Sequence, residues 1–232
     1  MKIAIIPARG GSKRIPRKNI KEFSGLPMIA HSLLAARATG MFEHVLVSSE
    51  DDEILSVGAA YGGEPLRRPP ELATDHAATI PVIRHAVAWA EAQGWPVEAA
   101  CCIYATAPFT RAEDIRTGWS LLKAHDMDFA FAATTFPYPV FRGLLHDGDG
   151  VRMIFPEHFP TRSQDLPEAI HDAGQFYWGT PRAWTEEERL FTVRAAPVML
   201  PRHRVQDIDT PEDWRRAEVL WRLLQCESLD AK

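Results

Sequence analysis

The fold of this chain is decided by the stretch Ile5-Ile6-Pro7-Ala8-Arg9-Gly10-Gly11-Ser12-Lys13-Arg14. Apolar residues at positions 2–7 predict a short buried strand, which ends at the proline and the two glycines. A glycine turn after a strand lets successive backbone N–H groups face one anion, while Arg9 and Lys13 bring positive charge to phosphate oxygens. The stretch fits neither the GxxxxGK(S/T) pattern nor the GxGxxG pattern, so it predicts a phosphate-binding loop of another kind.

Composition narrows the class of ligand. The 232 residues are 46% hydrophobic and 25% charged, as in a soluble globular protein with one sizeable domain. The formal net charge of -5 speaks against a nucleic-acid binder. Residues 1–21, however, hold seven lysines and arginines and no acidic residue. An acidic protein with one basic segment favours a small polyanionic ligand, although a solvated basic loop is the alternative.

The cysteines and the hydropathy pattern indicate a cytoplasmic protein. Of the three cysteines, the adjacent pair Cys101 and Cys102 lies in an apolar run that is typical of core residues rather than of a disulfide framework. No apolar stretch approaches the roughly 20 residues that span a membrane. The first strand follows the initial methionine too closely for a secretory signal. We therefore expect a cytoplasmic location and no membrane partner.

Strands and helices alternate along most of the chain. The pattern predicts strands at residues 2–7, 45–49, 99–105, 129–134, 175–178 and 196–200, and helices at residues 27–39, 51–61, 80–93, 111–125 and 210–224. Such alternation is typical of an α/β fold with a mostly parallel sheet flanked by helices. Ligands bind these sheets outside the carboxyl ends of the strands. The loops after residues 7, 49 and 105 should therefore share one rim.

The alternation stops between residues 137 and 170, which are rich in proline, phenylalanine, histidine and glycine. We predict that this segment is an excursion from an α/β domain formed by residues 1–136 and 171–226. It carries the apolar residues Phe141, Leu144, Leu145, Met153, Ile154, Phe155 and Phe159. Its apolar content favours a small extended dimerisation arm over a disordered loop.

Two further segments extend the phosphate hypothesis. Arg68 precedes two rigid prolines and could reach back to a phosphate or lie exposed in a surface turn. In a strand, residues two apart share one side, so Asp207 and Asp209 predict two adjacent carboxylates. Such oxygens suit Mg²⁺, which keeps several waters and shares substrate phosphates. The alternative is that Asp209 only helps to start the helix at Thr210, but the phosphate-binding loop in the same chain favours the metal.

Residues 161–165 and 171–177 are dense in hydrogen-bond donors and acceptors. A binding pocket for a sugar acid with amide substituents would need many such groups, together with an arginine to bind the carboxylate of the sugar. His171 beside Asp172 could act as an acid or a base, but a single histidine more often has a structural role.

A resemblance joins these segments. The chain resembles the cytidylyltransferases that make CMP-activated nonulosonic acids, and the match runs from about residue 2 to residue 224. The motifs that carry it are residues 6–13, Lys18-Asn19, Arg68-Pro69 and residues 207–213. The resemblance implies a Rossmann-like nucleotide-diphospho-sugar transferase fold, CTP and a nonulosonic acid as substrates, Mg²⁺ as cofactor and a homodimer.

Three segments resemble the members of that family that use pseudaminic acid, namely residues 103–109, 162–166 and 171–178. The enzymes for sialic acid usually carry a Gln-Pro-Thr-Ser-Pro type of segment where this chain has residues 104–108. They also carry an Asn-Gly segment where this chain has Ala173-Gly174. Both differences count against sialic acid as the substrate.

The resemblance also implies roles for individual residues. CTP would be held by Ala8, Arg9, Gly10, Gly11, Ser12, Lys13, Asn19, Arg68 and Thr79. The sugar pocket would be lined by Tyr104, Thr106, Arg162, Gln175 and Tyr177, with Arg142 and Phe191 near positions that a partner subunit contributes. Mg²⁺ would be bound by Asp207 and Asp209. Arg9, Lys13 and Asp209 would be the catalytic residues.

The reaction implied is an attack of the C2 hydroxyl of the sugar acid on the α-phosphorus of CTP, after which pyrophosphate leaves. Mg²⁺ and the basic loop would offset charge in the transition state, and no protein nucleophile is required. The alternatives are the same reaction on legionaminic acid, N-acetylneuraminate or a KDO-type acid, and a nucleotide-binding module without activity. A nucleic-acid binder is disfavoured by the acidic net charge.

Overall fold

The computed structural model describes residues 1–74 and 77–230, with residues 227–230 described by their backbone alone. The strands are β1 (Lys2–Pro7), β2 (Glu22–Phe23), β3 (Leu26–Pro27), β4 (His44–Ser49), β5 (Glu64–Arg67), β6 (Ala99–Ile103), β7 (Phe129–Thr135), β8 (Leu144–Asp147), β9 (Gly150–Met153), β10 (Ile170–Gly179) and β11 (Ala195–Met199). The α-helices are α1 (Met28–Ala38), α2 (Asp52–Ala60), α3 (Thr79–Ala92), α4 (Ala112–Ala124), α5 (Pro181–Glu186) and α6 (Pro211–Asp230).

Seven strands form the central sheet in the order β11-β7-β10-β6-β1-β4-β5. β1 pairs in parallel with β4 and β6, β4 with β5, and β7 with β11. β10 runs antiparallel to both of its neighbours, β6 and β7. The prediction of a mostly parallel sheet with flanking helices is therefore confirmed, with one reversed strand that the alternation did not indicate.

The reversed strand results from a long hairpin. Ile170, which begins β10, pairs with Thr135, which ends β7. The intervening chain is thus the connection of an antiparallel pair, and it lies at the carboxyl end of β7. Within it β8 and β9 form a separate two-stranded sheet. This segment, which we call the arm (residues 136–169), therefore stands at the rim where a parallel sheet binds ligands.

Side-chain alternation along the strands builds a core on each face of the sheet. Ile6 of β1 packs with α1, α2 and α4, whereas the adjacent Ile5 packs with α3 and α5. Cys101 and Cys102 divide between the two faces in the same way and are fully buried as free thiols, which confirms their prediction as core residues. The continuous apolar runs of the strands follow from burial on both faces.

A third cluster fastens α6 to the segment that follows the glycine loop. Phe23 of β2 is fully buried and makes edge contacts with Trp214 and Trp221 of α6, at centroid distances of 5.4 and 5.7 Å. Ile208, just before the helix, is also fully buried in this cluster. Two segments about two hundred residues apart in sequence are thereby held together, as edge-to-face aromatic pairs add to the stabilisation from burial.

The short strands β5, β8 and β9 were not predicted because their sequences lack the usual strand patterns. β5 contains a proline and buries only Leu66, so it lacks an apolar run and lies at the sheet edge, where proline is tolerated. In β8 and β9 almost every residue is exposed, so no alternation marks them. No helix within the described ranges is both long enough and apolar enough to cross a membrane.

Candidate active site

A cavity of approximately 410 Å³ opens at the carboxyl ends of β1 and β6 and at the start of α3. Many of the residues singled out from the sequence meet there. The lining residues are Pro7, Arg9, Ser12, Lys13, Arg14, Lys18, Asn19, Arg68, Ala77, Ala78, Thr79, Val82, Tyr104, Ala105, Thr106 and Asp209. The cavity therefore joins the proposed phosphate-binding loop, two of the predicted sugar-binding residues and one of the two predicted metal-binding aspartates.

Positive charge dominates this cavity. Five of its lining side chains are lysine or arginine, and Asp209 is the acidic one among the described residues. α3 also begins at the cavity wall, and its N-cap residue Ala78 offers no side-chain cap. The partial positive charge at a helix N-terminus adds to that of the side chains. The cavity is thus suited to a small ligand with several negative charges.

The glycine loop is held from behind by acidic residues at the start of α2. The N–H of Gly10 donates to a carboxylate oxygen of Glu50 at 2.7 Å. A side chain at Gly10 would collide with Asp51, so this close approach requires glycine. Asp51 also accepts two hydrogen bonds from Arg17, which lower the pKa of that carboxylate. Acidic side chains thus support the glycine loop from behind.

Asn19 and Arg68 fix the two ends of the cavity floor. The amide of Asn19 donates to the carbonyl oxygen of Arg9 at 2.8 Å. The guanidinium of Arg68 donates to the carbonyl oxygens of Ser48 at 2.5 Å and Ala8 at 3.3 Å, so it ties β4 to β1. Only 4% of Arg68 is exposed, which contradicts the surface-turn alternative. Burial lowers its pKa, and the charge of Arg9 adds to this effect.

The aspartate loop differs from the predicted geometry. Residues 205–209 form no strand, because they turn directly into α6 without a neighbouring strand to pair with. Asp209 lines the cavity, whereas Asp207 is exposed beside it. Partial desolvation raises the pKa of Asp207, and repulsion from Asp209 adds to it. The two carboxylates are close enough to interact, but only Asp209 faces the cavity.

Lys18 and Arg14 connect the two halves of the site, although neither residue was predicted to have a separate role. Nζ of Lys18 donates to the carbonyl oxygen of Ile208 at 2.6 Å and to Asp209 at 3.1 Å. Arg14 pairs with the other oxygen of Asp209 at 2.8 Å. Although desolvation acts to raise the pKa of Asp209, these cations lower it overall. The signal that could have identified Lys18 is its place in the basic segment next to Asn19.

A reciprocal cap holds the aspartate loop against α6. Thr210 accepts a hydrogen bond from the N–H of Asp213 at 3.2 Å, as an N-cap residue does. The carboxylate of Asp213 accepts in return from the N–H groups of Thr210 at 2.8 Å and Asp209 at 3.2 Å. The alternative that Asp209 merely starts the helix is thus not supported, because Asp213 performs that task.

The far wall of the cavity is formed by Tyr104 and Thr79, whose hydroxyl groups lie 2.7 Å apart. Burial raises the pKa of Tyr104 to about 12. Tyr177 lies behind this wall with 1% of its surface exposed, and Gln175 with 3%. The side chain of Gln175 accepts a hydrogen bond from the hydroxyl of Thr110 and donates one to a backbone carbonyl oxygen. Gln175 and Tyr177, which were predicted to line the sugar pocket, therefore do not line this cavity but lie behind it in the core.

The remaining predicted sugar-binding residues lie away from this cavity. Arg142 and Arg162 belong to the arm, where the first donates to the carbonyl oxygen of Thr161 at 2.9 Å and the second pairs with Asp165 at 2.7 Å. Phe191 lines a second cavity of approximately 610 Å³, which shares Ala78 and Thr79 with the first. The two cavities are thus adjacent, and the arm stands at the same rim.

His171 has a structural environment. Its Nδ1 lies 2.8 Å from the carbonyl oxygen of Asp172, and its ring packs against Phe136 at a centroid distance of 4.8 Å. Neither contact faces the charged cavity. The geometry favours the structural interpretation over an acid or base role.

The chain is similar to a known protein family and to proteins of assigned function. The family model described as cytidylyltransferase matches residues 3–174. Pseudaminic acid cytidylyltransferase of Campylobacter jejuni is 41% identical to this chain over 95% of it and 96% of the relative. CMP-N,N'-diacetyllegionaminic acid synthase of Legionella pneumophila is 29% identical over 96% of this chain and 97% of the relative.

A solved structure of CMP:2-keto-3-deoxy-manno-octonic acid synthetase complexed with CTP has the same fold. It superposes with a TM-score of 0.71 over 96% of this chain and 98% of that chain, at 16% sequence identity. At such low identity the likeness concerns the fold alone. It confirms the predicted α/β architecture.

The contacts of Lys18 lead to a test of the charged cavity. We expect Lys18→Met to weaken the binding of inorganic tripolyphosphate about tenfold, because it removes a charged donor and leaves Asp209 less compensated. Isothermal titration calorimetry would measure the affinity. Lys21→Met is the matched control, since Nζ of Lys21 lies over the ring of Trp214 at 4.4 Å and outside the cavity. Equal affinity in wild type and Lys18→Met would contradict the role of this lysine.

Proposed function

The chain belongs to the cytidylyltransferase family, and we propose that it transfers CMP from CTP to the C2 hydroxyl of pseudaminic acid, with release of pyrophosphate. As a member of this family it is a nucleotidyltransferase. The acceptor is inferred from the Campylobacter jejuni relative, whose 41% identity exceeds the 29% of the legionaminic acid relative. The single observation that carries the proposal is the cavity in which five cationic side chains meet Asp209.

The cations would act on the triphosphate in two ways. Arg9 and Lys13, from the loop after β1, would bind phosphate oxygens and orient the α-phosphorus toward the acceptor hydroxyl. Negative charge develops on the departing pyrophosphate, and preorganised cations stabilise such charge without reorganising. Arg68 would contribute mainly through its field, because its hydrogen bonds go to backbone carbonyls. Lys18 would keep Asp209 next to these groups.

We include Mg²⁺ in the proposal as the cofactor. Among the described residues there is no group of three or more His, Cys, Asp or Glu side chains that could hold a metal. Asp209 in the cavity, with Asp207 beside it, still fits Mg²⁺, because this ion takes one or two carboxylates and completes its coordination with water and substrate phosphates. When bound, it would polarise the phosphate oxygens. The repulsion between the two carboxylates supports a cation at this place.

Neither Tyr104 nor Asp209 is suited to accept the proton of the attacking hydroxyl group. The pKa of Tyr104 is raised to about 12 by burial, so the phenol stays protonated near neutral pH. The pKa of Asp209 is lowered overall by Lys18 and Arg14, which makes it a weak base. Asp209 is thus proposed to act through its charge rather than as a proton acceptor.

The acceptor would lie along Tyr104, Thr106 and Thr79, on the far side of the cavity from the loop cations. The adjacent second cavity, with Phe191, gives room for the rest of the sugar acid. Gln175 and Tyr177 would support this wall rather than touch the sugar. Arg162 and Arg142 would have to be brought to the acceptor by the arm of the same or of another subunit.

A homodimer completes the proposal. The arm exposes large apolar side chains, including Tyr138 at 82%, Phe159 at 75% and Val151 at 61%. Apolar surface of this kind in a folded segment commonly marks an association site. The arm of one subunit would cover that of the other and bring Arg142 near the partner's acceptor cavity, while Phe191 lies outside the arm in the adjacent second cavity. A cytoplasmic location belongs to the same proposal, because CTP is a cytoplasmic metabolite.

The acceptor is tested by pyrophosphate release with CTP, Mg²⁺ and a panel of sugar acids. We expect kcat/KM for pseudaminic acid to exceed that for legionaminic acid, N-acetylneuraminate and a KDO-type acid by at least about tenfold, as contacts to substituents discriminate on this scale. A higher value for another acid of the panel would reassign the substrate. No release with any of them would leave a nucleotide-binding module as the function.

The role of Asp209 is tested by Asp209→Asn, which keeps the size of the side chain and removes its charge. We expect turnover at saturating CTP and Mg²⁺ to fall at least about tenfold, because the substituted side chain no longer supplies an anionic ligand. Glu212→Gln, a neighbouring charge loss at the surface, serves as the control. Turnover of Asp209→Asn close to that of the control would refute the metal-binding role.

The dimer is tested by light scattering on Val151→Ser/Phe159→Ser. Wild type should have a mass of about twice 26.0 kDa, and the double variant should have the mass of one chain, because polar residues replace the apolar surface of the arm. Val193→Ser, at a fully exposed position outside the arm, should remain dimeric. A monomeric wild type would disprove the homodimer.

A further inference from the structure

A buried ion pair fixes the chain just before the aspartate loop (residues 205–209). The guanidinium of Arg204 donates to Oδ2 of Asp114 at 2.5 Å and to Oδ1 at 3.1 Å. Only 9% of the Arg204 side chain and 15% of the Asp114 side chain are exposed. Asp114 lies in the first turn of α4, where the helix dipole favours an anion. This pair, which we call the anchor, therefore ties the start of the loop to a helix that packs on the sheet.

Gln175 joins the anchor to the far wall of the cavity. Its side-chain amide donates to the carbonyl oxygen of Arg204 at 2.6 Å and accepts from the hydroxyl of Thr110 at 3.2 Å. Its own carbonyl oxygen accepts from the N–H of Tyr104 at 2.9 Å. Gln175 and Thr110 are both buried. One glutamine of β10 thus binds the segment that carries the cavity residues Tyr104 and Thr106, and also the residue from which the aspartate loop departs.

The loop between its two fixed ends is short. Five residues separate Arg204 from Thr210, which a reciprocal cap with Asp213 holds at the start of α6. Because these five residues form no strand, the positions of the two ends determine where the side chains of the loop lie. Asp207 and Asp209 are therefore placed by the anchor and β10 from one side and by α6 from the other.

We propose that Arg204 is a positioning residue that, through its ion pair with Asp114 and its hydrogen bond with Gln175, holds the aspartate loop against the far wall of the cavity. The inference rests on the proposed function, which assigns a divalent cation to Asp207 and Asp209. The cation-binding loop and the wall are then fixed to one another. A weaker anchor lowers the affinity for the cation, while the glycine loop keeps its own contacts with CTP.

Two different substitutions are expected to free the same loop. Removal of one partner from a buried ion pair leaves the other charge uncompensated, which is costly. In Asp114→Asn the guanidinium of Arg204 would turn toward water, and the carbonyl oxygen that Gln175 binds would move with it. Gln175→Leu removes the bond to that carbonyl directly. None of these three residues lines the cavity, so any effect on cation binding must be transmitted through the loop.

The test measures the affinity of Mn²⁺, which takes the same oxygen ligands as Mg²⁺, for the complex of the enzyme with CTP. The enzyme is in excess over CTP, no acceptor is present, and electron paramagnetic resonance reports free Mn²⁺. Amide hydrogen exchange of residues 205–209 reports the order of the loop. The variants are Asp114→Asn, Gln175→Leu and the milder Arg204→Lys, which keeps the charge. Glu113→Gln, a charge loss at the neighbouring exposed position of α4, is the surface control.

Asp128→Asn controls for the loss of a buried ion pair as such. The carboxylate of Asp128 accepts from Nε of Arg194 at 2.8 Å, and only 11% of its side chain is exposed. Asp128 lies directly before β7, at the rim opposite the cavity. Its substitution should lower the temperature of unfolding without any change in cation binding.

In wild type and in both controls we expect Mn²⁺ to bind the enzyme–CTP complex more tightly than it binds free CTP. Asp114→Asn and Gln175→Leu should each weaken this binding about tenfold, because residues that orient metal ligands matter on this scale. Arg204→Lys should have a smaller effect in the same direction. Hydrogen exchange of residues 205–209 should be faster in all three variants, and the affinity for CTP in the presence of EDTA should be unchanged.

Unchanged Mn²⁺ affinity in any of the three variants that folds, with unchanged exchange of the loop, would overturn the inference alone. So would an equal loss of affinity in Asp128→Asn, because a general loss of stability would then explain the effect. Wild type that binds Mn²⁺ no more tightly than free CTP does would overturn the proposed cofactor site, and the inference with it.

Discussion

Repulsion among cations is the constraint on which the rest of this structure depends. Five lysine and arginine side chains share one cavity, and like charges at short range disfavour the charged forms unless anions compensate them. The compensation comes from several directions. Glu50 and Asp51 stand behind the glycine loop, and Asp209 stands at its open side. The electrostatic field inside the cavity is positive because most of these carboxylates lie behind its walls and do not project into it.

The same constraint explains why distant parts of the chain meet. Asp209 is brought to the cavity by α6, which the third aromatic cluster fastens beside the segment after the glycine loop. The cap between Thr210 and Asp213 then fixes the loop that carries Asp209. Burial, aromatic contact and capping thus act together to place one anion among the cations. Loss of any one of them would leave the positive charges less well compensated.

Much of this was predictable from the sequence. The double-sided burial of the main strands produces continuous apolar runs, and the helices between them carry ordinary periodicity, so the mostly parallel sheet and its ligand-binding rim follow from local patterns. The glycine loop and Arg68 were also marked by residue type. Their contacts could not be predicted in this way, because Gly10 meets Glu50 and Arg68 meets strand-end carbonyl oxygens only once the sheet is assembled. The reversal of β10 and its irregular register depend on pairing partners that no local pattern reveals.

β7, the arm and β10 form one long hairpin whose tip stands beside the catalytic rim. Its two legs are locked into the sheet, whereas the tip is held by its own small sheet. The length and composition of the tip can therefore change while β1 and the glycine loop keep their positions. Under the proposed function, the groups that bind the nucleotide are thus separate from the arm. The strand β10 carries Tyr177, which supports the wall from behind, near one end and is joined to the arm at the other. A change of sugar could thus arise by replacing the tip of one hairpin, with the chemistry of the phosphates left as it is.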